Sequence, residues 1–173
     1  MTTFEWVLKG KVIAIVRGLN PKYMLRLSEA LYEGGIDLIE ITFEQNTPEN
    51  WKRTACAIEK ITEHMQGRML VGAGTVLNME QFNLAYRAKA KYIITPNVNV
   101  ELIKSIKGSG LCAFPGAMTP SEIETAYIAG ADAVKVLPAG VLGTGYIKAV
   151  RGPLSHIPLM GVGGIHEKTC LIS

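Results

Sequence analysis

The sequence predicts an α/β fold: a (β/α)8 TIM barrel of parallel strands, in a single domain over residues 1–173 that lacks its last βα unit. Three observations carry this prediction: seven short apolar runs, helix-start chemistry between them, and polar residues at their C-terminal ends. The runs are VIAIVRG at 12–18, LIEITF at 38–43, MLVGAGTV at 69–76, YIITPNV at 92–98, LCAFPGAM at 111–118, AVKVLPAG at 133–140 and LMGVGG at 159–164. Each is apolar almost throughout rather than alternating, as strands covered on both faces are.

Helices are expected between the runs. Asn20-Pro21, Thr47-Pro48 and Thr119-Pro120 each set a capping side chain before a proline suited to a first helical turn. Thr119 with Glu122, and Asn78 with Gln81, have capping-box spacing. After Asn20, residues Tyr23, Leu27, Ala30 and Leu31 fall on one helical stripe, and Gly34-Gly35 supplies the stop. The chain therefore repeats a βα unit with short loops.

Such units close into a barrel or remain an open, doubly wound sheet. VIAIVRGLNP offers neither a G-x-G-x-x-G nor a P-loop after the first run, and the polar strand ends match the catalytic face of a barrel, so the barrel is favoured. The strand count falls one short of eight.

Composition narrows the function. Of 173 residues, 48% are hydrophobic and 19% charged, with a net charge of +3, enough apolar content for a real interior. The basic residues are scattered, which argues against a nucleic-acid surface and suits an anionic metabolite. Cys56, Cys112 and Cys170 are odd in number and far apart, as reduced thiols of a cytoplasmic protein would be. No apolar run reaches membrane-spanning length, and MTTFEWVLKGK has no signal-peptide core. His64, His156 and His166 have no metal spacing and are assigned to the surface, so neither metal nor cofactor is expected.

Lys135 interrupts the apolar run Ala133–Pro138. Burial disfavours its charged form, yielding the neutral amine that attacks a ketone; a structural ion pair is the alternative. Glu40 interrupts LIEITF and shares one face with Leu38 and Thr42; if that face is the interior, it can move protons at a ligand on Lys135, a role compatible with the plainer one of neutralising that lysine. Arg17, ending the first run, and Gly72-Ala73-Gly74-Thr75, ending the third, suit a carboxylate, the small residues letting backbone approach a ligand. A solvated arginine and a relief of crowding against a helix are the plainer readings. Gly161-Val162-Gly163-Gly164 ends the seventh run, where barrels often bind phosphate through backbone N–H groups; a tight empty loop is the alternative. Pro96, Phe114, Pro115 and Leu137 read as pocket walls.

The motifs LIEITF, VGAGTVLN, ITPN, FPGAMTPSE, AVKVLPAG and GVGGI, in this order over residues 5–165, resemble the KDPG/KHG aldolase family. The resemblance implies a trimeric (β/α)8 barrel that releases pyruvate and an aldehyde from 2-keto-3-deoxy-6-phosphogluconate or 4-hydroxy-2-oxoglutarate. It implies Lys135 as the Schiff-base lysine, Glu40 as general acid/base, Thr75 and Arg17 as carboxylate ligands, and Pro96 and Pro115 as shapers of the pocket. Gly163 and Gly164 would serve the distal phosphate. Three departures stand out. Glu44 occupies a position where many members have arginine, Leu137 replaces an aromatic residue, and the sequence finishes as IHEKTCLIS where members continue into an eighth strand. A 6-phosphogalactonate aldolase and a truncated, non-catalytic oligomeric barrel are the alternative readings.

Overall fold

The computed structural model describes residues 1–18 and 20–165. Its elements run α1 (Thr3–Gly10), β1 (Ala14–Val16), α2 (Pro21–Glu33), β2 (Leu38–Thr42), α3 (Pro48–His64), β3 (Leu70–Gly74), α4 (Met79–Arg87) and β4 (Tyr92–Ile94). They continue with α5 (Val100–Gly108), β5 (Cys112–Phe114), β6 (Gly116–Ala117), α6 (Pro120–Ile128), β7 (Val134–Val136), α7 (Ala139–Arg151) and β8 (Leu159–Gly161).

Every predicted run holds a strand. The fifth is divided because Pro115, which has no N–H for a ladder, separates β5 from β6. Parallel pairing runs β1-β2-β3-β4-β5 on one side of that break and β6-β7-β8 on the other. Among the described residues no ladder joins β8 to β1. A cleft of about 680 Å³ lies between them, lined by Ile13, Ile15, Leu159 and Met160 and reaching inward to Glu40.

Strand residues divide by parity. Ile39, Ile41, Val71, Ala73, Ile93, Ala113, Val134 and Val136 pack in one cluster with the helices, while Leu38, Leu70, Tyr92, Ile94, Cys112, Phe114 and Ala133 form a second with Val7. The second set is the barrel interior, and α1 plugs its floor: Phe4 and Phe114 ring centres lie 6.4 Å apart, and the Trp6 Nε1–H donates to Asp37 Oδ2 at 2.6 Å. This helix was not anticipated. Its signals are nonetheless in the sequence, since Thr2 and Glu5 form a complete capping box.

The predicted starts at Asn20, Thr47, Asn78 and Thr119 all cap helices, each side chain accepting a backbone N–H of the first turn, and Asn99 adds one more. Such caps contribute about 1 kcal/mol each. Thr119 and Glu122 form a full capping box. Gln81 does not complete one with Asn78; its carbonyl accepts from the Leu77 N–H at 2.7 Å instead. The stripe on α2 is also rotated from the expected one. Met24 and Ser28 are buried, with Leu27 and Leu31 packed beside them, while Tyr23 and Ala30 face solvent. The chain turns at Gly34 as anticipated, its N–H donating to the carbonyls of Ala30 and Tyr32.

Candidate active site

Lys135 sits in the middle of β7, 6% exposed, its backbone N–H donating to the Pro115 carbonyl at 2.8 Å. Val134 and Val136 face the helices, so strand parity turns Lys135 into the interior. Glu40, 2% exposed, occupies the corresponding inward position of β2, across the barrel. Burial pushes the Glu40 carboxyl above its ordinary range, opposed by the charges of Lys135 and then Arg17. Burial likewise lowers the Lys135 amine; Glu40 works against that shift and Arg17 adds to it. The three charges therefore sense one another. Among the described residues, no direct salt bridge joins Lys135 to Glu40.

Glycines on β3 make room for this arrangement. A Cβ on Gly72 would overlap the Tyr92 ring, and one on Gly74 would overlap the Glu40 carboxylate. Beside the expected reasons for these glycines, ligand approach or relief of crowding against a helix, the structure gives another. They accommodate inward side chains of the neighbouring strands. Tyr92, fully buried, anchors the layer beneath by donating to the Ile39 carbonyl at 2.8 Å.

Arg17 and Thr75 meet at the mouth, Arg17 Nη2 donating to Thr75 Oγ1 at 3.3 Å. Thr75 has φ +56°, in the left-handed region that costs a non-glycine residue about 1–2 kcal/mol. That turn takes the backbone out of β3 just beyond Gly74.

Glu44 lies in the loop between β2 and α3. Its carboxylate takes a long 3.4 Å bond from Asn50 Nδ2 in the first turn of α3, and lies beside Gly18. Pro115 is buried between β5 and β6, and the Pro96 carbonyl packs against Gly116, so both brace backbone next to the lysine strand. Gly163 and Gly164, at φ +87° and +71°, line the same cleft as Glu40. The carbonyls of Val162 and Gly163 accept the N–H groups of Ala139 and Gly140 at the start of α7. No backbone bond among the described residues uses the Gly163 or Gly164 N–H. Leu137 covers this loop, its Cδ1 lying 3.0 Å from where a Cβ on Gly163 would stand.

His64 and His156 are exposed, His64 pairing with Glu29 at 2.7 Å; Cys56 is exposed, and burial pushes the Cys112 thiol up to about 11. His166 and Cys170 lie outside the described residues. Among the described residues no group of three His, Cys, Asp or Glu side chains could hold a metal, and no helix is long and apolar enough to cross a membrane.

A parallel α/β barrel scaffold carrying an interior lysine and a buried carboxylate has the parts that lyases of the Schiff-base class use. Comparison with known proteins gives the family. The family model for KDPG and KHG aldolase matches residues 5–170, and the chain belongs to that family. The 2-dehydro-3-deoxy-6-phosphogalactonate aldolase of Escherichia coli K12 is 37% identical over 162 residues, covering 93% of this chain and 76% of the relative. A 2-dehydro-3-deoxy-phosphogluconate aldolase of Treponema pallidum is 34% identical, covering 96% and 76%. The solved KDPG aldolase of Legionella pneumophila, which holds pyruvate as a covalent carbinolamine, superposes with a TM-score of 0.80 at 29% identity, over 90% of this chain and 73% of the other.

Proposed function

We propose that the chain cleaves a 2-keto-3-deoxy sugar acid, phosphorylated at its far end, into pyruvate and an aldehyde such as glyceraldehyde 3-phosphate, through a Schiff base on Lys135. The observation that carries this is the burial of Lys135 inside the barrel with Glu40 near enough to act on its charge. The neutral Nζ attacks the C2 ketone, and loss of water leaves a protonated imine. Glu40 takes the C4 hydroxyl proton as the C3–C4 bond breaks. The bond electrons flow into the imine, and the aldehyde departs from an enamine. A proton returned to C3 and the addition of water then release pyruvate and the free amine.

Arg17 and Thr75 are suited to the carboxylate, and the N–H groups of Gly163 and Gly164, which make no backbone bond among the described residues, to the distal phosphate. Homotrimeric assembly and a cytoplasmic setting accompany the reading through the family resemblance.

The test is reductive trapping. Borohydride and pyruvate together should add a pyruvate-sized mass to Lys135, read by mass spectrometry. Lys135→Met should abolish the label and cleavage alike; full activity in that variant would sink the imine mechanism. An unlabelled but folded wild type would favour a non-catalytic barrel. The similarity to the phosphogalactonate aldolase keeps the 6-phosphogalactonate substrate as a second reading. Cleavage rates on the two epimeric sugar acids decide between them.

A further inference from the structure

Two glutamines outside the acid–base pair converge on Thr75. Gln81, on the first turn of α4, is 0% exposed, and its carbonyl oxygen accepts the Leu77 N–H at 2.7 Å. Its Nε2 must then face the other way, and it donates to Gln45 Oε1 at 2.8 Å. That fixes the Gln45 amide in turn, so its Nε2 points at carbonyls, donating to Thr75 at 2.8 Å and to Phe43 at 3.2 Å. Neither amide can flip alone without setting like against like.

The Thr75 backbone is held on both sides. The preceding peptide is fixed by the Phe43 N–H on the Gly74 carbonyl at 2.8 Å. The following one is held by the Val76 N–H on the Ile94 carbonyl at 3.3 Å and by Gln45 on the Thr75 carbonyl. Gln45 supplies a side-chain restraint on a left-handed threonine whose hydroxyl faces Arg17. A φ of +56° needs such over-determination to persist.

We propose that Gln81 and Gln45 form a positioning relay that aims the Thr75 hydroxyl and so sets affinity for the keto acid's carboxylate. The inference rests on the aldolase reading. Neither glutamine touches the reacting atoms; Gln45 reaches the ligand only through Thr75.

The probe is pyruvate itself, with half-saturation of borohydride trapping on Lys135 as the readout. Gln45→Ala is expected to raise half-saturating pyruvate about tenfold, while trapping at saturation stays within about threefold and the melting temperature falls by a few degrees as the buried Gln81 amide loses its acceptor. Gln81→Glu keeps the acceptor for Leu77 but turns an oxygen on Gln45. It should shift half-saturation the same way. Acting through Thr75 has a signature that general loosening lacks: in a Thr75→Val background, Gln45→Ala should add less than about twofold. Wild-type labelling with an unshifted Gln45→Ala curve overturns the relay and leaves the aldolase standing, as does a full independent effect on top of Thr75→Val. An unlabelled wild type overturns both.

Discussion

The two ends of the proposed site are built unequally. On β2 and β3 all ten residues are buried, paired in register from Leu38 opposite Leu70 to Thr42 opposite Gly74. Glu40 is wedged there against a bare backbone, and Thr75 follows under restraint from both sides. On β8 only three residues form the strand, half-buried or exposed, with β7 as the sole neighbour among the described residues. The loop beyond it runs through two left-handed glycines. Glu40 and Thr75 are therefore fixed by a fully enclosed part of the sheet, whereas the distal end rests on an open edge. Geometry that bond-breaking depends on needs the stiffer support, whereas selectivity among far ends of the substrate tolerates a softer one.

The largest disruption of this contrast is expected at Gly74. In Gly74→Ala the added methyl overlaps the Glu40 carboxylate, which must leave its place. Cleavage should fall by about 100-fold or more, as for loss of a positioned acid–base group, with overpacking costing about 1–3 kcal/mol of stability. Paired steady-state rates and thermal melts separate the two effects. Near-normal turnover would show that Glu40 is not bound to this position.

Glu40→Gln should also slow cleavage about 100-fold, but with a second signature of opposite sense. The Glu40 charge favours the ammonium form of Lys135, against the lowering by burial. Without it the lysine is neutral at lower pH, so the rise in trapping rate with pH should move to the acid side even as turnover drops. An unmoved profile would mean that the two groups are not electrically coupled.

The smallest effect belongs to the open edge. Gly163→Ala introduces a side chain at φ +87°, against Leu137. About a tenfold loss is expected with a phosphorylated substrate, and none in pyruvate trapping. Equal losses in both assays would erase the distinction between the two ends.

The positions of strands and most helix starts were legible because each depends on neighbouring residues: an apolar run, or a cap with its first turn. Lys135 and Glu40 were legible for a related reason, as charges inside runs that burial otherwise strips of charge. What stayed hidden depends on register between distant segments. Nothing local in GAG says that Tyr92 and Glu40 fill the space above it, and Gln45 and Gln81 are ordinary polar loop and helix residues until folding brings them together across 36 positions. Pro115 marked itself in the sequence, yet its division of the fifth strand follows from ladder bonding rather than composition. The α1 plug is a different case, since Thr2, Glu5 and the apolar residues between and after them carried a readable signal.

Gly74 also offers a shortcut for reading other sequences. A position empty of side chain on one strand is, in this barrel, an imprint of the carboxylate seated opposite. In a chain of the same architecture, a bulkier residue there leaves no room for the carboxylate in this place, even where both the lysine and the glutamate are still spelled out.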